Sequence, residues 1–298
     1  MAEVQAPIFD TLLVVGPGLI GSSVLRRARV RGNIARRLIA ADSSPAVCAR
    51  VRELDLADEA TTDLAAAAAQ ADCVMLCVPV GAMGEVAAQV VPAMKSGAVL
   101  TDVGATKVSV VEAIAPILRA DVPYVPTHPM AGTEFSGPDA GLEHLFEDRW
   151  CLLTPLESTT AAALESIRTL WERCGARLRE MTPPHHDRVC AIVSHLPHLL
   201  AFTICGTADD LAAETRSEVL DLAASGFRDF TRIAASDPIM WRDIFLYNRE
   251  ALLEMLGRFM EDAQAMARAI RWGDEAYIVD KIERGRAIRK SLIENRQA

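Results

Sequence analysis

The first half of the chain alternates short apolar runs with amphipathic stretches. Helical patterns run from Leu19 to Arg31, from Pro45 onward, and after the third apolar run to about Met94. Strands that alternate with helices predict parallel crossover connections, so we expect an α/β fold with a doubly wound sheet. The predicted strands, rich in β-branched residues and typical of burial on both faces, are Thr11–Val15, Arg37–Asp42, Cys73–Val78, Ala98–Thr101 and Tyr124–Pro126.

From Pro183 onward the pattern favours helices alone. Apolar residues recur at intervals of three and four from Leu252 to Ile270, which predicts a long amphipathic helix with a broad apolar stripe. Gly273 and Asp274 are expected to end it and to cap a last helix that reaches about Asn295. We therefore predict an α/β domain over residues 1–181 and an all-α domain over residues 182–298. The stripe is expected to be buried within its own domain, at a subunit interface, or at both.

Composition excludes several classes of protein. Hydrophobic residues make up 51% and charged residues 24% of the 298 positions, which favours a packed core over disorder. A net charge of -9 and an aromatic content of 5% argue against a nucleic-acid or anionic-membrane partner. The N-terminus lacks the pattern of a signal peptide, and we expect a cytoplasmic protein. The seven cysteines include no CxxC pair, so reduced thiols are expected.

A glycine-rich turn joins the first predicted strand to the first helix. Its GxGxxG pattern would bring the backbone close to a pyrophosphate at the helix N-terminus. Asp42 lies about 20 residues further on, where a carboxylate favours the ribose of NAD over the phosphate of NADP. The alternative for Asp42 is a helix-capping residue in a plain turn. The motif predicts a Rossmann-type NAD site that comprises Gly16, Pro17, Gly18, Leu19, Ile20, Gly21, Asp42, Ser43, Val78 and Pro79.

A second group of polar residues follows the fifth predicted strand. His128, Thr133 and Glu134 come where the carboxyl ends of parallel strands border the ligand crevice. A histidine there can take the proton of an alcohol while hydride leaves the same carbon. The alternative is a loop histidine that is hydrogen-bonded to the backbone, and the residues by themselves leave both interpretations open.

The segment from Phe227 to Trp241 mixes arginines, aspartates and aromatic residues. The planar guanidinium of Arg228 or Arg232 suits a carboxylate ligand. Either arginine could instead pair with Asp229 or Asp237 within the chain, and spacing alone does not choose between them.

Two pairs of histidines precede that segment. His195 and His198 lie three apart on a helix that contains Pro197, a spacing that suits a metal pair. No third ligand is evident nearby, so no metal is predicted. His185 and His186 follow two prolines and are expected at the surface, at the start of a helix.

Taken in order, these motifs resemble the prephenate/arogenate (cyclohexadienyl) dehydrogenase family over nearly the whole chain. The glycine motif is shared by many dehydrogenases, whereas the later segments are more specific. The resemblance implies an N-terminal nucleotide-binding domain and a C-terminal helical domain that forms a homodimer. The segments that carry it are Gly16–Gly21, Thr101–Lys107, His128–Glu134, Ser194–His198 and Phe227–Trp241.

The resemblance also implies a reaction. A cyclohexadiene substrate, prephenate or L-arogenate or both, would be oxidised by NAD and decarboxylated in tyrosine biosynthesis. By the same resemblance His128 takes the proton of the ring hydroxyl and Arg232 grips a carboxylate. The other implied substrate positions are Thr106, Thr133, Glu134, His198 and Trp241.

One position departs from the family pattern, because Ala105 stands where a serine is usual and Thr106 offers the neighbouring hydroxyl. Two alternatives follow. The first is another two-domain NAD(P)-dependent oxidoreductase, acting on 4-amino-4-deoxyprephenate or a hydroxyacid. Hydroxyacid enzymes of that plan commonly use a lysine in the linking helix, and no lysine lies between Lys107 and Lys281. The second is a catalytically silent nucleotide-sensing dimer, against which His128 and Arg232 argue.

Overall fold

One eight-stranded sheet organises the first part of the computed structural model, which describes residues 6–133, 135–211, 218–219 and 221–294. Its order is β3-β2-β1-β4-β5-β6-β7-β8. Strands β1 to β6 run parallel, β7 pairs antiparallel with β6, and β8 is parallel to β7. The strands are β1 Phe9–Val15, β2 Ala35–Ala41, β3 Glu59–Thr61, β4 Cys73–Leu76, β5 Val99–Asp102, β6 Tyr124–Pro129, β7 Trp150–Leu153 and β8 Arg177–Glu180.

Helices cover both faces of this sheet and dominate the rest of the chain. A π-helical turn, Ala191–His195, joins α7 to α8, and a 3₁₀ turn, Arg232–Ala235, follows α9. The helices are α1 Leu19–Arg31, α2 Pro45–Glu53, α3 Leu64–Ala68, α4 Met83–Val90, α5 Val108–Ile114, α6 Ala161–Arg173, α7 Pro183–Cys190, α8 Leu196–Asp209, α9 Ser225–Thr231, α10 Pro238–Tyr247, α11 Arg249–Trp272 and α12 Glu275–Glu294.

Strand β1 shows why the central strands of the sheet are continuous apolar runs in the sequence. Leu12 and Val14 pack into one hydrophobic cluster, which also holds Trp171 of α6. Leu13 and Val15 pack into the cluster on the opposite face. Both faces of a parallel sheet are covered by crossover helices, so the buried positions from Leu12 to Val15 need no polar side chain. The α/β, doubly wound fold class is confirmed.

The five predicted strands and the predicted helix Leu19–Arg31 are all present. The long helix expected around Leu252–Ile270 is α11, and Gly273, with a φ of +68°, separates it from α12. Strands β3, β7 and β8 were not predicted. They have three or four residues each. Three of the four residues of β8 are charged, and the four apolar residues of β7 make too short a run to stand out in the sequence.

The chain divides into two compact units, one ending at Arg249 and one beginning at Glu250. The first unit includes α7 to α10 as well as the sheet. The domain boundary at residues 181 and 182 stays a prediction. By length and composition alone, the helical run Pro183–Asp209 would be able to cross a membrane, with a mean hydropathy of 1.7. Core helices of soluble proteins pass the same test, so the expected absence of a membrane partner also stays a prediction. All seven cysteines are free thiols.

A buried ion pair ties the carboxyl ends of β5 and β6 together. Lys107 and Asp102 are both fully buried, and the Lys107 ammonium donates to the Asp102 carboxylate and, at 2.6 Å, to the backbone oxygen of Thr127. Asp102 also accepts the hydroxyl of Tyr124 and the N–H of Gly104, each at 2.7 Å. With these partners, the two buried charges fix the carboxyl end of β6, which carries His128, against the end of β5.

Lys107→Met is expected to lower the free energy of unfolding by about 3–5 kcal/mol, because it leaves the Asp102 charge buried without its partner. The matched control is Lys95→Met. Lys95 pairs with Asp72 at 2.8 Å, but both side chains are at least one-third exposed, so a loss below about 1 kcal/mol is expected. Urea unfolding of both variants measures the difference. Equal losses would contradict the role given to the buried pair.

Candidate active site

The glycine turn lies where the sheet order reverses, between β1 and β4. Gly16 has a φ of +81°, and a Cβ there would lie 2.8 Å from Cγ1 of Val78. A Cβ on Gly21 would lie 2.7 Å from the backbone oxygen of Gly16. A Cβ on Gly18 would meet no atom within 4 Å. Gly18 directly precedes α1, and no side chain caps the N-terminus of this helix. The turn therefore leaves free N–H groups and open space where a dinucleotide pyrophosphate would bind.

Asp42 directly follows β2, the strand beside β1. Its Oδ1 accepts the N–H of Ser44 at 2.8 Å, and the Ser44 hydroxyl accepts the N–H of Val47 at the start of α2. Asp42 thus supports the turn that leads into the helix, while it stays partly exposed. Ser43 and Pro79 are exposed and Val78 is half-buried. Cofactor contacts at these four positions remain predictions.

His128 lies on β6 and contacts the first helix after the sheet. Its Nδ1 atom is 2.8 Å from Nε2 of His186, and Nδ1 of His186 is 2.9 Å from Oδ1 of Asp187. Both partners belong to α7. The expectation that His186 is at the surface is wrong, because its side chain is fully buried against β6, whereas His185 is exposed. Sequence alone missed this contact because 58 residues separate the two rings.

Burial sets the electrostatics of this group. It lowers the pKa of His128 and of His186 well below 6.5, and the positive charge of Lys107 lowers both further. Both rings are therefore neutral at neutral pH. Burial raises the pKa of Asp187, while the backbone N–H groups of Lys107 and Val108 oppose that shift by donating to its carboxylate.

The π-helical turn, α8 and α10 bring a second group of rings into contact. Nδ1 of His195 is 3.0 Å from Nδ2 of Asn248, which also donates to the backbone oxygen of Asp187. Nδ1 of His198 is 2.9 Å from the backbone oxygen of Ser194. Its ring stacks on Trp241 with centroids 3.7 Å apart. Burial lowers the pKa of His195 to about 4 and also lowers that of His198.

A cleft of about 650 Å³ opens beside the end of β6. Arg232, on the 3₁₀ turn, is exposed and lines this cleft together with Thr133, and its charge also lowers the pKa of His198. The structure therefore brings Arg232 close to His198 and Trp241. Glu134 lies outside the described residues. The lining residues are Met130, Ala131, Gly132, Thr133, Leu142, Glu143, His144, Leu145, Glu147, Arg149 and Arg232.

The loop after β5 carries the position where a serine was expected. Ala105 is half-buried there, and the neighbouring Thr106 is fully buried with its hydroxyl 2.8 Å from that of Ser109. The Thr106 hydroxyl is thus engaged at the start of α5, and its contact with substrate stays a prediction.

Three buried side chains have the spacing of metal ligands. The ligand atoms of His128, His186 and Cys190 lie within 4.8 Å of one another. The two histidine nitrogens face each other at hydrogen-bond distance, and burial raises the pKa of the Cys190 thiol to about 12, which keeps it protonated. The prediction of no metal remains open. Residues 128, 186 and 190 are too far apart in sequence to form a recognisable metal motif.

Comparison with known proteins matches both halves of the chain to one family. The prephenate dehydrogenase nucleotide-binding domain matches residues 25–180, and the prephenate dehydrogenase dimerization domain matches residues 182–284. The cyclohexadienyl dehydrogenase of Zymomonas mobilis is 40% identical over 286 residues, covering 96% of this chain and 97% of that protein.

Solved structures agree with this match. The prephenate dehydrogenase of Aquifex aeolicus, in complex with hydroxyphenyl propionate and NAD+, superposes with a TM-score of 0.89 at 33% identity, over 95% of this chain and 98% of that one. The Synechocystis arogenate dehydrogenase has a TM-score of 0.80 at 27% identity, over 94% and 99% of the two chains. By its domains, its relatives and its fold, this chain belongs to the prephenate dehydrogenase family.

Proposed function

We propose that this protein is an NAD-dependent dehydrogenase that oxidises and decarboxylates prephenate, L-arogenate or both, in tyrosine biosynthesis. The products are 4-hydroxyphenylpyruvate from prephenate and L-tyrosine from L-arogenate. The observation that carries the proposal is a neutral, partly exposed His128 at the carboxyl end of β6, near the sheet's ligand crevice. A cytoplasmic homodimer, formed through the region that matches a dimerization domain, is part of the proposal.

The glycine turn is the proposed cofactor site. The open space at Gly18 and the uncapped N-terminus of α1 fit a dinucleotide pyrophosphate. Asp42 would bind the adenosine ribose, with Ser43 beside it, and Val78 and Pro79 would border the cofactor after β4. When bound there, NAD supplies the acceptor for the hydride that leaves the carbinol carbon of the substrate.

His128 is the proposed catalytic base. The proton of the ring hydroxyl moves to the Nε2 atom of His128 as hydride leaves the carbon that bears this hydroxyl. Loss of the ring carboxylate as carbon dioxide then makes the ring aromatic, and the resulting phenolate oxygen takes the proton back. The lowered pKa keeps the ring neutral at neutral pH, and the neutral imidazole is the form that can accept the hydroxyl proton.

Arg232 is the proposed carboxylate-binding residue. It is exposed on the cleft, and its planar guanidinium can form two parallel hydrogen bonds with a carboxylate. Thr133 lines the same cleft, and His198 stacked on Trp241 would form a flat apolar wall for the ring of the substrate. Thr106 and Glu134 complete the proposed set on the strength of the family resemblance alone.

Purified protein is expected to reduce NAD with prephenate, L-arogenate or both, and His128→Asn is expected to lower kcat by about 10²–10⁴-fold, the usual contribution of a general base. NADH formation is followed spectrophotometrically with each substrate and with NAD and NADP. Turnover of 4-amino-4-deoxyprephenate alone would assign a different substrate. Full activity of the variant would contradict the role of His128.

Arg232→Leu is expected to raise KM for the substrate by roughly 10–100-fold with little change in kcat, because it removes a charge-assisted hydrogen bond worth about 1.5–3 kcal/mol. The matched control is Arg228→Leu, an exposed arginine one turn earlier on α9, for which KM should change less than twofold. Steady-state kinetics measures both. If Arg228→Leu raises KM more than Arg232→Leu, the two assignments are exchanged.

Gly18→Ala is expected to weaken NAD binding at least about tenfold while stability stays within about 0.5 kcal/mol. The added methyl group meets no protein atom within 4 Å but would occupy the space of the pyrophosphate. Isothermal titration with NAD and thermal unfolding without it separate the two effects. Unchanged NAD affinity would place the cofactor elsewhere.

A further inference from the structure

We propose that His186 and Asp187 are positioning residues that hold His128 in the tautomer whose Nε2 lone pair faces the substrate. The inference rests on the proposed function, since it takes His128 as the base, and it extends it to two residues that never touch the substrate. It is carried by a chain of three side chains, Asp187–His186–His128, in which each hydrogen bond determines the next.

The chain begins at a carboxylate surrounded by donors. Oδ1 of Asp187 accepts the N–H of Lys107 at 2.7 Å, and Oδ2 accepts the N–H of Val108 at 2.9 Å. The backbone oxygen of Asp187 accepts Nδ2 of Asn248 at 2.9 Å. These bonds fix Asp187 in place from two sides. A carboxylate that already accepts two backbone N–H groups also acts as an acceptor toward its third partner, the ring of His186.

That carboxylate determines the tautomer of His186. Its Nδ1, 2.9 Å from Oδ1 of Asp187, must carry the hydrogen. Burial keeps the ring neutral, so Nε2 has no hydrogen and is an acceptor. This is the arrangement in which a carboxylate orients a histidine through its second nitrogen.

The acceptor on His186 then determines the tautomer of His128. Nδ1 of His128 lies 2.8 Å from it and must donate. Nε2 is left with a free lone pair, and in the described part of the chain it has no hydrogen-bond partner. With the opposite tautomer, Nε2 would carry a hydrogen and would be unable to accept the hydroxyl proton. Two lone pairs would also face each other across 2.8 Å.

The other charged and titratable groups around Asp187, His186 and His128 offer no alternative to the hydrogen bonds among these three side chains. Sγ of Cys190 is 3.5 Å from Nε2 of His186 and 3.7 Å from Nδ1 of His128, distances at which a thiol makes only a weak hydrogen bond. The Lys107 ammonium donates hydrogen bonds to the Asp102 carboxylate and the Thr127 backbone oxygen, and His195 is hydrogen-bonded to Asn248. Once His128 has taken the proton, its Nδ1–H still donates to His186, so the same bond stabilises the charged ring.

The first experiment compares three variants. His186→Phe keeps a ring but removes the acceptor, and kcat should fall by about 100-fold, within the range of general-base effects, while KM for NAD changes less than about twofold. In His186→Gln the amide oxygen can still accept from His128 while the amide N–H groups donate to Asp187, so at least about tenfold of the loss should be recovered. The matched control is His185→Gln on the exposed face of α7, which should match the wild type.

The second experiment reads the tautomer without turnover. Nitrogen-15 NMR of protein with labelled histidine resolves six rings, and His128→Asn and His186→Gln assign two of them. The wild type should show His128 neutral and protonated at Nδ1, with the signal changed in His186→Phe or, if that variant does not fold, in Asp187→Asn.

A wild-type His128 protonated at Nε2, or a kcat in His186→Phe equal to that of the wild type, would overturn the inference. The same holds if His186→Phe and His186→Gln lose equal activity while both remain folded. Lack of turnover by the wild type on every substrate overturns the proposed function instead, and the NMR measurement still decides the tautomer.

Discussion

The arrangement of this site depends on Lys107, a cation with no exposure to solvent. Its ammonium neutralises Asp102 at the end of β5 and binds the backbone oxygen of Thr127, one residue before His128. Its own N–H binds Asp187 on α7. One residue thus connects two strands of the sheet to the helix that follows it. A buried charge tolerates few alternative positions, since each displacement would leave it without partners.

The same charge shapes the chemistry of the histidines. A cation close to His128 and His186 disfavours a second positive charge, and burial has the same effect, so both rings are neutral. Neutral rings are the ones that need a defined tautomer, because each has one donor and one acceptor. Asp187 supplies that definition, and the proposed base at His128 follows from it.

Bulk charge does not indicate the ligands of this protein. The chain has a net charge of -9, yet the dinucleotide and the proposed dicarboxylic substrate are both anions. Local features overcome the bulk charge. In the proposed function, the uncapped N-terminus of α1 at Gly18 would offer N–H groups to phosphates, and the exposed Arg232 on the cleft would offer its guanidinium to a carboxylate. Binding of anions by an acidic protein therefore requires positive groups placed at the two sites.

The sequence by itself determined the α/β class, the five central strands and the GxGxxG turn, because these depend on neighbouring residues. An apolar run such as Thr11–Val15 indicates a strand that is buried on both faces, whichever helices cover it. The family resemblance of the surrounding motifs singled out His128 and Arg232, and their roles stay predictions. Only the tertiary structure decided that His186 is buried against His128, and that Asp187 reaches the start of α5. Such pairs join segments about 60–80 residues apart, and no local pattern marks them, because hydrogen bonds between distant side chains exist only after the sheet and α7 have packed.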